Sequence, residues 1–409
     1  MSKWLAPAGA ATVVALVALP GAFGSRPAAV PGISANEILI GGTTALTGEA
    51  SSGSGTAIGA EAYFKYVNAR GGVRGRKIEY TYLDDGYDPG RAVQATRRLV
   101  QRDKVFAIFN SLGTAQNLAI RPFLNRAGVP HLFIGSGYGG WAREAGRYPL
   151  SVGFVPTYTG EGRLYARDLL VRRSRARIGV LYQDDVYGRE LLAALKQGLK
   201  GKARQIVAAQ PYRSTATDIQ AQIVKLKSSH ADVFMNFGFG KFAIQGFVYA
   251  NRLGWKPVLS YVNAVGASTT VMSLASEGGT NQRTEGAITA AFFKDPAAPA
   301  FANDPGIKLF RSIATTYIPR GDVRNGYYLA GMASAYSLVD ALQKAGRTPT
   351  RRSLMSAMLK LDERTNPFVL RGIRVKTSRT DRRPLEQARL QRWSKTHWVP
   401  FGKVLSTPK

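Results

Sequence analysis

The chain has 409 residues, 45% hydrophobic and 20% charged, a composition typical of a globular protein long enough for two domains. Its formal net charge of +30 is spread over short clusters, with no basic stripe interleaved with aromatic residues, so nucleic-acid binding is not predicted. The absence of cysteine excludes thiolate catalysis, zinc–thiolate centres, iron–sulfur clusters and disulfides. None of the three histidines has a second ligand at a metal-binding spacing, so no metal site is predicted.

The N-terminus predicts an export signal. Lys3 is followed by an uncharged stretch from Trp4 to Gly24, and Ala22-Phe23-Gly24 has the small-x-small pattern that precedes signal-peptidase cleavage. We therefore expect residues 1–24 to be a cleaved signal peptide. Without a cysteine there is no site for lipid attachment, which predicts a soluble periplasmic protein rather than a lipoprotein. An uncleaved membrane anchor is the alternative, because the uncharged run is long.

From Glu37 onward, short β-branched runs alternate with helical patterns, which is typical of βαβ units and a mostly parallel sheet. The first series reads, in chain order, strand EILIGG, a helix over 56–69, strand KIEYTYLDD, helix DPGRAVQATRRLVQ, strand VFAIF, helix AQNLAIRPFLNRAG and strand VPHLFI. In the fourth of these segments, Asp88 suits the helix N-cap and Pro89 the first helical position.

A second series of the same kind starts near LSVGFVPTYTGEG. It reads as a helix over 161–171, strand RIGVLY, a helix over 187–199, strand QIVAAQPY, a helix over 219–227, strand ADVFMNF, a helix over 241–253 and strand PVLSYV. A further strand, EGAITAAFF, is followed by helices over 305–317 and 327–345 and by a tail that alternates like a β-hairpin. Two similar series predict two α/β lobes joined near residues 151–157.

Motifs of the common enzymes are absent: the sequence has no GxxxxGK[ST] loop, no GxSxG elbow and no HExxH helix. Two stretches match GxGxxA, one starting at Gly137 and one at Gly238. The second lies between a strand and a helix, as a dinucleotide site would. However, no Asp or Glu occurs from Val233 to Ser276, so no acid can bind an adenosine ribose there. An NAD(P)-linked enzyme remains only a minor alternative, and no cofactor is predicted.

Two glycine-bearing corners follow neighbouring strands of the first series. In FNSLGTAQN, Gly113 permits close approach of the backbone, and Thr114 adds a hydroxyl at a helix N-terminus with free amide donors. In IGSGYGGW, Ser136 and Gly137 follow the next strand at the same edge of the sheet. No base or nucleophile pair is evident, so the corners predict a site that holds a ligand without changing it. A plain N-cap and a plain core turn are the respective alternatives.

With these corners and two lobes, the chain resembles the Leu/Ile/Val-binding family of type I periplasmic binding proteins, the substrate-binding subunits of ABC importers. The resemblance covers about residues 37–405 and is carried by ILIGGTTALTG, NARGGVRGRKIEY, DDGYDP, GTAQNLAIRPFLNRAGVP, SVGFVPTYTGEG, IGVLYQDDVYG and LGWKPVLSYVNA. It implies an α/β fold of two Rossmann-like lobes with parallel-type sheets, linked by three hinge crossovers. The expected division is 37–153 plus about 287–362 for the first lobe and 154–286 plus about 363–409 for the second.

The resemblance also implies which residues contact the ligand. The expected contacts are Gly113, Thr114, Gly135, Ser136, Gly137, Tyr158, Phe239 and Asn263. Asn263 stands where amino-acid-binding members place the Glu that receives the ligand's ammonium group. We therefore expect either a ligand without an α-ammonium group, such as a small or aromatic carboxylate, or a different acid as its partner, for which Glu49 is the candidate.

The expected function is that of an extracytoplasmic solute-binding protein that captures a small organic solute by lobe closure and delivers it to a membrane permease. We expect a monomer that performs no chemistry and needs no metal or cofactor. A ligand-sensing receptor subunit is the main alternative, because its sequence could look the same.

Overall fold

The computed structural model describes residues 1–5, 9 and 30–407, so the expected signal peptide 1–24 lies mostly outside the described residues. Of the described helices, none combines the length and the apolar character that a bilayer span requires. Two sheets, each covered by helices, form two lobes around separate hydrophobic cores.

The first lobe contains a five-stranded parallel sheet in the order β2-β1-β3-β4-β5. Its elements are β1 (Glu37–Thr44), α1 (Gly55–Asn68), β2 (Lys77–Asp84), α2 (Pro89–Arg97), β3 (Ala107–Phe109), α3 (Thr114–Arg126), β4 (His131–Ile134), α4 (Gly140–Arg143) and β5 (Ser151–Gly153). As predicted, α2 begins at Pro89, and its N-cap Asp88 accepts from the Arg91 amide at 2.7 Å.

The second lobe continues the alternation of helices and strands. Its elements are α5 (Tyr158–Arg172), β6 (Ile178–Gln183), α6 (Val186–Leu199), β7 (Ile206–Tyr212), α7 (Gln220–Ser228), β8 (Val233–Phe237), α8 (Lys241–Arg252), β9 (Leu259–Val262), α9 (Thr269–Ala275) and β10 (Ile288–Ala291). The pairs β6–β7, β6–β8, β8–β9 and β9–β10 are parallel, which confirms the expected βαβ organisation.

The remaining chain returns to both lobes. Its elements are α10 (Pro305–Tyr317), α11 (Gly326–Lys344), α12 (Arg351–Met358), β11 (Asp362–Glu363), β12 (Val375–Lys376), β13 (Gln387–Ser394), β14 (His397–Pro400) and β15 (Leu405–Ser406). The first three helices pack on the core of the first lobe. β13 joins the second sheet antiparallel to β10 and forms the expected hairpin with β14, which completes the order β14-β13-β10-β9-β8-β6-β7 with β15 beside β13.

The strand pairing corrects two of the expected lobe boundaries. β10 pairs with β9 and β13, so residues 288–291 belong to the second sheet and not to the first lobe. The first-lobe core buries Phe368, Val375 and Leu385, which the sequence assigned to the second lobe. Both expected boundaries were therefore set too early along the chain. The chain crosses between the lobes after β5, after β10 and before β13, and we call these three places the crossing segments.

Candidate functional site

The two glycine corners of the first lobe meet, because they follow adjacent parallel strands. The Gly113 amide donates to the Gly135 carbonyl at 3.2 Å, and the Gly135 amide donates to the Ser111 carbonyl at 2.9 Å. Gly113 is the N-cap of α3 with φ +96°, a value that favours glycine. Its lack of a side chain leaves the start of α3 without a side-chain cap. The corners thus place an uncapped helix N-terminus at the cleft between the lobes.

Three hydroxyl groups connect the corners to the start of the second lobe. The Thr114 Oγ1 lies 2.7 Å from the Ser136 Oγ and 3.5 Å from the Tyr158 hydroxyl. The Tyr158 amide donates to the Gly137 carbonyl at 2.7 Å, which fixes the first turn of α5 against the second corner. Burial raises the pKa of Tyr158 to about 12, so its hydroxyl stays protonated and can donate a hydrogen bond.

The opposite wall of the cleft contains an aromatic residue that sequence reasoning missed. Tyr187, in the first turn of α6, lies 5.0 Å from Tyr158 between ring centroids. With the Asn263 amide oriented to donate to the Gly238 carbonyl at 2.7 Å, the Asn263 oxygen lies 2.7 Å from the Tyr187 hydroxyl and accepts from it. Asn263 is fully buried, and its hydrogen bonds position Tyr187.

The lobes touch each other across the mouth of the cleft. Tyr87 of the first lobe stacks on Phe239 of the second, with ring centroids 5.7 Å apart. The Lys241 amide donates to the Glu49 carbonyl at 3.0 Å, and the Lys241 Nζ lies 2.5 Å from the Glu49 Oε1. The structure therefore has a closed arrangement of the lobes. Glu49, the acid suspected of binding an ammonium group, pairs with Lys241 and is not among the residues that line the cavity.

A cavity of about 140 Å³ lies between the corners, the mouth and the crossing segments. Ten of the described aromatic residues line it. Apolar cavities of about 150 Å³ accommodate a molecule the size of benzene, so this cavity has room for a small organic solute. Aromatic and backbone groups predominate in its lining, as in many small-molecule sites.

The two charged residues among the described lining residues already have partners. The Lys294 Nζ lies 2.7 Å from the Asp304 Oδ1 and donates to the Pro367 carbonyl at 2.7 Å. Asp295 accepts from the Thr269 hydroxyl at 2.8 Å and from the Trp398 amide at 3.1 Å. Burial raises the pKa of Asp295 above its ordinary value. Asp295, the carboxyl group among the described lining residues, therefore has both oxygens engaged by neutral donors, although no cation pairs with it.

Glu161, a second buried acid, positions the cavity wall from behind. Its Oε1 accepts from the Ala264 amide at 2.6 Å and from the Tyr165 hydroxyl at 2.8 Å. Burial raises the pKa of Glu161 to about 7. Ala264 lines the cavity whereas Glu161 does not, so this acid holds the turn after β9 in place.

The predicted contact residues divide into two groups. Gly113, Gly135, Tyr158 and Phe239 line the cavity, whereas Thr114, Ser136, Gly137 and Asn263 lie behind it and support it through hydrogen bonds. Their contact with a ligand stays a prediction. Sequence reasoning missed Tyr87, Tyr187 and Tyr327, which also line the cavity. Tyrosines near helix starts in DDGYDP and QDDVYG were the available signal.

The GxGxxA stretch at Gly238 has its helix N-terminus occupied by the other lobe. Lys241 is the first residue of α8, and its amide binds the Glu49 carbonyl, where a dinucleotide site would bind pyrophosphate. No cluster of three or more potential metal-ligating side chains occurs in the part of the chain that the structure describes.

The sequence matches the family model of the periplasmic binding protein over residues 37–397. Among curated relatives, Leu/Ile/Val-binding protein homolog 7 of Brucella abortus is 27% identical over 320 residues, which is 74% of each chain. Homolog 8 of Brucella abortus is 27% identical over 229 residues, so the chain spans about half the length of that relative, 54%.

Solved structures share the fold over nearly the whole chain. A branched chain amino acid ABC transporter protein from Thermus thermophilus with bound valine superposes with a TM-score of 0.80 at 18% identity, covering 91% of this chain and 97% of that chain. A fatty acid ABC transporter substrate-binding protein from Thermomonospora curvata gives 0.74 at 21% identity, covering 92% and 94%. At these identities the likeness shows the fold. The chain belongs to the periplasmic binding protein family, with the two-lobed type I fold of the binding proteins of branched-chain amino acid ABC transporters.

Proposed function

We propose that the protein is an extracytoplasmic solute-binding protein of an ABC importer. It captures a small organic solute between its lobes, performs no chemistry on it, and delivers it as a monomer to a membrane permease. The observation that carries this proposal is the cavity enclosed by both lobes, with lobe-to-lobe contacts at its mouth. A cavity bounded in this way couples solute binding to closure, because the solute contacts both lobes only in the closed state.

The chemistry of the cavity narrows the class of solute. Proteins of this fold differ in their solutes, since the Thermus thermophilus protein has bound valine and the Thermomonospora curvata protein is a fatty acid ABC transporter substrate-binding protein. The solute class proposed here therefore rests on the cavity lining of this chain. Lys294 is paired with Asp304, and both Asp295 oxygens already accept hydrogen bonds from neutral donors. Asn263 offers a neutral amide that is engaged elsewhere. Burying an ammonium group without a carboxylate costs several kcal/mol, whereas micromolar binding amounts to only about 8 kcal/mol.

The solute that fits this lining is a small carboxylate with an aromatic or apolar body and no ammonium group. Its carboxylate is held by the amides at the uncapped start of α3, where the helix dipole favours an anion. The Tyr158 hydroxyl supplies a further donor. The aromatic residues that line the cavity pack around the body of the solute.

Calorimetric titration with leucine, valine, benzoate, phenylacetate and 3-phenylpropionate tests the solute class. We expect micromolar binding of at least one aromatic acid and at least about 100-fold weaker binding of leucine. That factor corresponds to a cost of about 2.7 kcal/mol for burying the ammonium group of leucine without a carboxylate partner. Leucine binding as tight as the best acid would contradict the proposed class. X-ray scattering of the same samples tests the binding role itself, because every true solute should stabilise the compact, closed form.

A further inference from the structure

The cavity extends from the glycine corners to the crossing segments. Gly113 and Gly135 line one end of it. The cavity is also lined by Phe154, which directly follows β5, by Phe293, which follows β10, and by Gln391 in β13. A solute held at the corners can therefore reach towards residues of the crossing segments.

Gln391 is a buried residue whose side-chain amide has no hydrogen-bond partner among the described residues and keeps access to the cavity. Its exposed fraction is 8%, and it lines the cavity. Within residues 30–407, no side chain or backbone group forms a hydrogen bond with its side-chain amide. Most buried polar side chains in proteins are hydrogen-bonded, and an unpaired one calls for an explanation such as a missing ligand group. Two other polar lining residues direct their hydrogen bonds elsewhere: the Thr269 hydroxyl and the Trp398 backbone amide both donate to Asp295.

We propose that Gln391 forms a second subsite that binds a neutral hydrogen-bonding group of the solute, separate from the group held by the glycine corners. This inference rests on the proposed solute-binding function. An amide offers both donors and an acceptor, so it pairs with a hydroxyl, a carbonyl or a carboxamide. A charged group is disfavoured, because the Lys294 charge is already paired with Asp304 and both Asp295 oxygens already accept hydrogen bonds from neutral groups.

The aromatic lining between the glycine corners and Gln391 suits a flat ring. Phe154 and Phe293 stack with centroids 6.0 Å apart, and Phe292 packs against Phe293 at 4.6 Å. An aromatic acid with a hydroxyl opposite its carboxylate would place its ring near these side chains and its hydroxyl at Gln391. The proposal therefore assigns to Gln391 the recognition of a polar substituent, which is separate from recognition of the carboxylate.

Matched pairs of probes test this subsite: benzoate against 4-hydroxybenzoate, and 3-phenylpropionate against 3-(4-hydroxyphenyl)propionate. Calorimetry should show that the parent protein prefers the hydroxylated member of at least one pair by about tenfold, the effect of one net hydrogen bond. Gln391→Leu should lose that preference while it binds the unsubstituted acid as tightly as the parent or more tightly. The control is Gln387→Leu in the same strand. Gln387 does not line the cavity, and its Oε1 accepts from the Arg374 backbone amide.

The outcomes separate the subsite from the proposed function. Equal binding of both members of each pair by the parent, or an unchanged preference in Gln391→Leu, would overturn the subsite and leave the solute-binding function standing. Failure of all four acids to bind would overturn both the subsite and the aromatic-acid class. Should Gln391→Leu not fold, Gln391→Met carries the same test, and the parent's preference by itself can still refute the proposal.

Discussion

The contact between Gly240 and Glu49 predicts a substitution that holds the lobes apart. Gly240 has φ +57°, and a Cβ added to it would lie 2.2 Å from the Glu49 carbonyl oxygen and 3.0 Å from the Ala50 Cα. Both of these atoms belong to the other lobe. Because non-bonded heavy atoms attract one another best at about 3.5–4.0 Å, Gly240→Ala needs about 1 Å more room here. We expect the variant to gain that room by opening the cleft.

The expected size of this effect follows from the contacts that opening breaks. The hydrogen bond from the Lys241 amide to the Glu49 carbonyl contributes about 0.5–1.5 kcal/mol. The Glu49–Lys241 ion pair contributes at most about 1 kcal/mol, because the two side chains are 43% and 26% exposed. Loss of on the order of 1–2 kcal/mol lowers the ratio of closed to open protein about 5- to 30-fold.

The absence of native cysteine permits a direct measurement with two introduced spin labels. Labels at Gln94→Cys in α2 and Thr215→Cys before α7 report the distance between the lobes by double electron–electron resonance. The control is Gly254→Ala, at φ +68° after α8, which also has a positive φ but meets no atom within 4 Å. Gly240→Ala should lose most of the short-distance population and Gly254→Ala should keep it. The reasoning fails if Gly240→Ala stays closed like the parent or if Gly254→Ala opens to the same extent.

Three further predictions concern charge and buried polar groups. Glu49→Gln and Lys241→Met should each lower the ratio of closed to open protein about 2- to 5-fold at low salt in the same spin-label measurement. At 1 M salt, where charges are screened within about 3 Å, the difference from the parent should vanish. A difference that persists at 1 M salt would contradict this prediction. Burial raises the pKa of Glu161 to about 7 from its ordinary 4.5, so its contribution to stability is present below about pH 4.5 and is lost as the pH rises through 7. Glu161→Gln should therefore gain on the order of 3 kcal/mol relative to the parent between pH 4.5 and 8 in denaturant unfolding, and equal pH profiles would argue against it. Asn263→Asp places a carboxylate oxygen against the Gly238 carbonyl and should cost about 3 kcal/mol in the same experiment; a midpoint like that of the parent would show that this amide hydrogen bond is dispensable.

Local sequence patterns predicted most helices and strands, because each pattern depends on near neighbours. The helix expected over 305–317 has those bounds in the structure, and Asp304 caps it through the Gly306 and Ile307 amides. The sheet that a strand joins depends instead on distant partners. EGAITAAFF reads as a strand whichever sheet receives it, so the sequence did not show that β10 lies between β9 and β13. The capping box of Thr350 and Ser353 was an unused signal for α12.

Residue patterns predicted the first-lobe corners, where glycine and hydroxyl residues follow adjacent strands, and the family resemblance added Tyr158 and Phe239, which also line the cavity. The stacking of Tyr87 on Phe239 was not predicted, because it depends on how the lobes close. The contact of Tyr187 with Tyr158 was not predicted either, because it depends on how α5 and α6 pack together. Position alone also cannot distinguish a residue that touches a ligand from one that supports it. Asn263 matches a ligand-contact position of the Leu/Ile/Val-binding family, yet its side-chain amide forms hydrogen bonds with the Gly238 carbonyl and the Tyr187 hydroxyl.

The aromatic pair of Phe154 and Phe293 would let a solute in the cavity influence the angle between the lobes. These side chains lie in two of the three crossing segments, directly after β5 and shortly after β10, and both line the cavity. A longer solute would contact the crossing segments at Phe154 and Phe293, whereas a shorter one would not reach them. Chemically similar solutes would then differ in the interlobe angle of the closed state as well as in affinity.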